Sequence, residues 1–286
     1  MQKLILWSAA AIGLVLIGLS INTARNAGGL TVIDETPAAR LEKLEPGFRL
    51  IEPDGQGPHP AVVLLSGCDG VRDNMATWAE EFVAQGYLAL ILDSHSPRGF
   101  DRLEAWRLVC AAQVLTGAER AGDVAVALDW LQDGGMTDGT AVVLGASHGG
   151  WSALELAGLA LRGQVPPGLT DWPAPSDALV GAVSGVIVLY PYCGILNRAD
   201  ESDWSDGPPT LMIISGQDSV VGADECREMA IRLADRGAHI RAELYEEADH
   251  GFDQKERSLV STLKFDKEFR DRALADVIEF LATDAR

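Results

Sequence analysis

Ser147 stands between glycines in the string Gly145-Ala146-Ser147-His148-Gly149. A G-x-S-x-G string is the pattern of a nucleophile held on a strained turn between a strand and a helix. A serine hydroxyl is a poor nucleophile at neutral pH, so the pattern carries chemistry only with a base and an orienting acid beside it. Asp218 in GQDSVV and His250 in EADHGFD follow in the chain order serine, acid, histidine that hydrolases with this elbow use. Each residue alone has a plainer role: a glycine turn, a helix cap, a solvated loop histidine. Three required types in the required order, each just past an apolar run, favour the chemical reading. That chemistry is acyl transfer, in which His250 takes the proton of Ser147, Asp218 orients the imidazole, and water releases the acyl-enzyme.

The developing oxyanion needs donors. The backbone N–H of His148 follows the nucleophile and supplies one by position. The second is assigned to the N–H of Cys68 in LLSGCDG (Leu64 to Gly70), where glycines allow close backbone approach. His148 is read as a backbone contributor rather than as the base, since on a tight elbow its ring points away. Three side chains are candidate substrate contacts: Asp69 beside the oxyanion loop, Arg98 in SPRG, and Trp151 just after the elbow. Asp69 either opposes an anionic substrate or gives a specific hydrogen bond. The planar fork of Arg98 suits a carboxylate and suits a structural ion pair equally.

These residues require a scaffold. Apolar runs at Pro60–Gly67, Tyr87–Asp93, Ala141–Leu144, Gly185–Pro191, Thr210–Gly216 and Ile240–Glu246 read as buried strands. Helical segments lie around MATWAEEFVAQG, ERAGDVAVALDWLQD, the stretch after Ser147, and KEFRDRALADVIEFLATD. Alternation of this kind implies an α/β fold of three layers, a mainly parallel sheet covered by helices on both faces. GQVPPGLTDWPAPSDALVG and NRADESDWSDGPP interrupt the rhythm, as substrate-shaping loops or as surface excursions.

With 286 residues the chain has enough apolar content for one sizeable core, and its net charge of -19 disfavours a nucleic-acid partner. An apolar stretch from Leu4 to Ile21 reads as a signal peptide or membrane anchor within residues 1–28, ahead of a catalytic domain over 35–286. Export follows, to the periplasm or to a membrane-anchored position outside the cytoplasm. The four cysteines form no C-x-x-C pair, and in an exported chain an even count suggests disulfides. Of three possible connectivities, Cys68 with Cys110 and Cys193 with Cys226 are expected, because each pair follows neighbouring strands in its own half. Asp200, Asp203 and Asp206 are spaced by threes, unlike an alternating calcium loop. No metal and no cofactor is expected.

Taken together, LLSGCDG, DSHSPRG, GASHGG, LYPYCG, SGQDSVV and DHGF resemble, in family order, the motifs of the dienelactone hydrolase family within the α/β-hydrolase fold. The resemblance runs from about Gly47 to the C-terminus. It implies Ser147 as nucleophile, His250 as base and Asp218 as orienting acid, in agreement with the residues themselves. The enzymes that give the family its name carry cysteine where Ser147 stands. Relatives often have histidine at the position of Ser66 and glycine at that of Asp69. The expected function is an exported serine hydrolase acting on a small-molecule ester of a small or medium acyl compound. The alternatives are a peptidase on the same fold and a non-catalytic envelope binding protein.

Overall fold

The computed structural model describes residues 2–257, 261 and 263–285. Two helices come first, α1 (Gln2–Ala27) and α2 (Pro37–Leu44), then strand β1 (Phe48–Ile51). The chain continues through β2 (His59–Leu65), α3 (Asp73–Ala84) and β3 (Leu88–Leu92) to a short turn α4 (Arg102–Glu104), which runs into a π-helical turn over Ala105–Val109. Next come α5 (Gly117–Asp133), β4 (Thr137–Ala146), α6 (His148–Leu161), α7 (Ser176–Ala182) and β5 (Val183–Leu189). β6 (Thr210–Ser215), α8 (Asp224–Asp235), β7 (Ile240–Tyr245) and α9 (Lys267–Thr283) complete the chain.

The strands form one seven-stranded sheet in the order β1-β3-β2-β4-β5-β6-β7. β1 runs antiparallel to β3, and every other pairing is parallel. Strands such as β2 and β3 read as unbroken apolar runs because they are covered on both faces. Val62, Leu64, Ile91 and Ile213 pack with Trp78 and Phe82 of α3 and with Phe280 of α9. Val63, Leu65, Val143 and Met212 pack on the other face with Leu128 of α5, Leu154 of α6 and Leu233 of α8. The three-layer α/β architecture expected from the alternation is thus the one observed. Helix α5 starts where it does because Thr116 and Glu119 form a capping box, each side chain bonded to the other's backbone N–H.

Two elements, β1 and α8, depart from the sequence reading, and two segments resolve an alternative it left open. β1 has four residues and no clean alternation, so it gave no strand signal and takes its place only as an antiparallel edge. α8 is strongly amphipathic on a charged background and lies between two strands that were read without a helix between them. The two rhythm-breaking segments contribute no residue to the cavity over Ser147. One of them carries α7, and the other carries Trp204, fully buried with its Nε1–H donated to Ala199 O at 2.8 Å. They run largely over the surface, as one of the two sequence readings had it, and are anchored by a few buried residues such as Leu169, Leu179 and Trp204.

Parallel strands deliver their following loops to one rim, which is why such sheets put chemistry there. The Gly67–Gly70 loop follows β2, Ser147 follows β4, Tyr190 follows β5, Asp218 lies past β6, and His250 lies past β7. α1 is long and apolar enough to cross a membrane. Its C-terminal end meets the body through Asn22 Nδ2, which donates to Gln113 O and Oε1 at 3.0 and 3.1 Å, and through Thr23 Oγ1, which accepts from Gln113 Nε2 at 2.8 Å.

Candidate active site

Ser147 has φ +53° and ψ −114°, a conformation that non-glycine residues rarely adopt. The turn is held from outside: Ser147 N–H donates to Leu189 O at 2.9 Å, and Ser147 O accepts from Tyr192 N at 3.3 Å. The flanking glycines are sterically required. A Cβ on Gly145 would lie 2.2 Å from Gly149 O, and one on Gly149 would lie 2.4 Å from Leu65 O. The hydroxyl is thereby aimed at the rim of the sheet.

His250 Nε2 lies 2.9 Å from Ser147 Oγ, and His250 Nδ1 lies 2.7 Å from Asp218 Oδ2. Both the imidazole and the carboxylate are almost entirely buried. Asp218 Oδ1 accepts from Val220 N and Val221 N at 2.9 and 2.8 Å, which locks the carboxylate. Asp249 ties the two loops together, since its Oδ1 accepts from Ser219 N at 2.9 Å and from His250 N at 2.7 Å. Burial raises the pKa of Asp249, but these donors outweigh it and hold the carboxyl below the usual range. In this arrangement the imidazole can take the hydroxyl proton while the carboxylate fixes its tautomer.

Tyr190 packs against the histidine and is itself held by Asp253, and sequence reasoning did not single out either. Tyr190 sits at φ +37°, and its ring packs edge-on against His250 with centroids 4.8 Å apart. Its hydroxyl donates to Asp253 Oδ1, while Asp253 Oδ2 accepts from Trp78 Nε1 at 2.8 Å and Asn74 Nδ2 at 3.2 Å. Burial drives the pKa of Asp253 up, and burial next to that carboxylate drives the Tyr190 phenol well above its ordinary value. The motifs LYPYCG and DHGFD contain both residues, but nothing in the sequence says that they meet.

A cavity of about 260 Å³ opens over Ser147, walled by Gly67, Cys68, Trp106, Val220, Gln254 and Leu263 among others. The Gly67 backbone passes so close to the elbow serine that a Cβ there would stand 3.7 Å from Ser147 Cβ. Cys68 lines the cavity and is bonded to Cys110, with Cα atoms 4.9 Å apart. The second disulfide joins Cys193 to Cys226, so both pairs are those expected from the sequence. Asp69 also faces the cavity, with its Oδ2 accepting from Arg72 Nε at 3.0 Å.

Two candidate substrate contacts lie elsewhere. Arg98 donates through Nη1 and Nη2 to the two oxygens of fully buried Asp123, at 2.9 and 2.7 Å, and a second arginine, Arg40, also donates to that carboxylate. The fork suited to a substrate carboxylate is therefore committed to an internal one. Trp151, in the first turn of α6, is buried, its Nε1 donating to Glu155 Oε1 at 3.1 Å, and it does not line the cavity over Ser147. Trp106 occupies the cavity wall in its place, exposed on the segment that carries Cys110. Its sequence signal was a lone tryptophan in a charged stretch. Among the described residues no three His, Cys, Asp or Glu side chains are grouped to hold a metal ion.

A serine on a strained strand-to-helix elbow, beside loops from the next strands of a mainly parallel sheet, is the layout of the α/β-hydrolase fold. The chain belongs to the dienelactone hydrolase family, whose model matches residues 47–166 and 176–284, and it is a carboxylic ester hydrolase of that family. Among solved structures, a protein of Klebsiella pneumoniae subsp. pneumoniae MGH 78578 assigned as a dienelactone hydrolase superposes with a TM-score of 0.62 at 16% identity, over 82% of this chain and 99% of its own. Esterase 2 of the planctomycete Thermogutta terrifontis superposes with butyrate bound at a TM-score of 0.59 and 16% identity, over 82% of this chain and 88% of its own. The same esterase phosphorylated by paraoxon gives 0.60 and 17%, over 82% and 87%. Comparison with curated protein sequences gives no significant match.

Proposed function

We propose that residues 35–286 form a serine esterase in which Ser147 is the nucleophile, His250 the general base and Asp218 the orienting acid. The observation that carries this reading is the pair of contacts at His250, 2.9 Å to Ser147 Oγ and 2.7 Å to Asp218 Oδ2. Proton transfer to His250 Nε2 accompanies attack of Ser147 Oγ on the ester carbonyl. The N–H groups of Cys68 and His148 receive the oxyanion. The imidazolium then protonates the leaving alcohol, and a water activated by His250 hydrolyses the acyl-enzyme.

The cavity supports a small or medium acyl group. Its volume of about 260 Å³ lies just below the roughly 300–1,000 Å³ of pockets for drug-sized ligands, and Trp106, Val220 and Leu263 give it apolar walls. Thermogutta esterase 2, which shares the fold, holds butyrate in one structure and is phosphorylated by paraoxon in another. A p-nitrophenyl ester series from acetyl to dodecanoyl, run beside aminoacyl amides, tests the class. Turnover is expected to peak among the short esters and to be negligible on the amides. An organophosphate or fluorophosphonate should label Ser147 alone, and labelling of a different serine refutes the mechanism.

Export and attachment through residues 1–28 belong to the same reading. The apolar α1 and the two disulfides support it, since disulfides persist in oxidising compartments. The full chain is expected in the membrane or periplasmic fraction, and a chain starting at Thr31 in solution. Recovery of the full chain as a soluble cytoplasmic monomer refutes export.

A further inference from the structure

A fully buried cation sits behind the two proposed oxyanion donors. Arg120, in the first turns of α5, is completely buried. Its Nη1 lies 3.0 Å from Ser66 O and 3.0 Å from His148 Nδ1. Asp123, one turn further along the same helix, bonds Arg40 and Arg98 instead. Burial lowers the Arg120 pKa to about 10, which leaves it charged at neutral pH. Burial, followed by the charges of Arg120 and His95, holds His148 far below the usual histidine range. His148 is therefore neutral, Nδ1 accepts from the guanidinium, and the ring proton resides on Nε2. Nε and Nη2 of Arg120 have no hydrogen-bond partner among the described residues.

Such a group is expensive in a protein interior, where a charge ordinarily has a paired countercharge. What Arg120 does hold is specific. Ser66 begins the loop that leads through Gly67 to Cys68, and His148 is the residue whose N–H follows the nucleophile. The two donors come from different strands, β2 and β4, and no covalent link sets the gap between them. An oxyanion hole works only when both N–H groups stand about 2.7–3.1 Å from one oxygen.

We propose that Arg120 is the positioning residue of the oxyanion hole: bound at once to Ser66 C=O and His148 Nδ1, it sets the spacing of the two donor segments and holds a positive charge behind them. This rests on the serine-esterase reading above. In a site of low dielectric, that charge acts on the developing oxyanion far more strongly than it would in water. It also explains why the histidine next to Ser147 is no base, because its only acceptor nitrogen faces a cation.

The test uses the full-length protein and pairs of oxo- and thionoesters with the same acyl and alcohol parts. An oxyanion hole is fitted to oxygen, so its loss penalises the oxoester more than the thionoester, whereas general destabilisation lowers both alike. Arg120→Met is expected to cut kcat on the oxoester roughly 10- to 100-fold, less than the loss of a whole donor, with KM within about threefold. The oxo-to-thiono ratio should fall about tenfold. Arg120→Lys keeps the charge but cannot reach both acceptors, and should fall between. If Arg120→Met does not fold, His148→Ala removes only the held ring while keeping the N–H, and its ratio should fall in the same direction. Folded Arg120→Met, or failing that His148→Ala, with the wild-type ratio overturns the proposal. Ser147→Ala run in parallel separates the two readings: full turnover there sinks the esterase mechanism itself, while its loss with an unchanged Arg120→Met ratio sinks only the role of Arg120.

Discussion

Two histidines flank one serine here, and what stands behind each gives it its character. His250 meets the hydroxyl of Ser147 and has a carboxylate behind it, with Asp218 at 2.7 Å. His148 is bonded to Ser147 through the chain and has a cation behind it, with Arg120 at 3.0 Å. A carboxylate stabilises an imidazolium, so His250 can accept a proton in the proposed mechanism. A guanidinium disfavours one, so in the proposed mechanism His148 contributes only its backbone N–H. If the proposed mechanism holds, closeness to Ser147 in sequence does not pick out the base, and the partner on the far ring nitrogen does.

The comparison breaks most sharply at the reacting pair. Ser147→Ala and His250→Ala are each expected to lower ester turnover by three or more orders of magnitude, and the double variant should lose little beyond either, since the residues act as one unit. Steady-state kinetics on a short p-nitrophenyl ester checks this, and additive losses would contradict it. Asp218→Asn keeps the shape while disturbing the tautomer, and should cost roughly as much or somewhat less. His148→Ala should cost far less than His250→Ala, and equal losses would erase the distinction drawn between the two rings.

Smaller effects sharpen the surroundings. Tyr190→Phe removes a hydroxyl bonded to buried Asp253 and leaves that carboxylate short of a donor, at a cost of about 1–3 kcal/mol read by chemical denaturation. Unchanged stability would show that the Tyr190–Asp253 contact is idle. A comparable effect is expected on acid stability. Burial, reinforced by the Arg120 charge, lowers the His95 pKa from 6.5 to about 3. As pH falls through 6.5, the unfolded chain takes up a proton that folded His95 refuses, so this group's stabilisation is lost between pH 6.5 and about 3. His95→Gln should therefore show a shallower fall in Tm from pH 7 to pH 4 than the parent protein. A parallel fall would show that His95 does not drive it.

How much of this was legible in advance depended on whether the signal was local. The elbow was, because a strand, glycines at fixed offsets and a helix are written within fifteen residues. The order of Ser147, Asp218 and His250 was legible too, and with it the three-layer sheet, because two-sided burial forces continuous apolar strands. β1 was not, being four residues long and defined by its neighbour. Arg98 illustrates the limit: its fork advertised a carboxylate, and the sequence could not say that the carboxylate was Asp123, 25 residues on and inside the protein. Trp151 and Trp106 were alike as aromatic residues, and only the tertiary packing buried the one and put the other in the cavity wall.

The sequence by itself determined the periodicity, the residue types and their order along the chain, for these follow from backbone sterics and from which surfaces must leave water. The tertiary structure decided which polar groups face one another. Tyr190 and Asp253 are 63 residues apart, Ser66 and Arg120 are 54 apart, and each contact exists only because parallel strands bring distant loops to a common rim. A buried charge takes its meaning from its nearest partner at about 3 Å, and that distance is set by packing rather than by sequence separation.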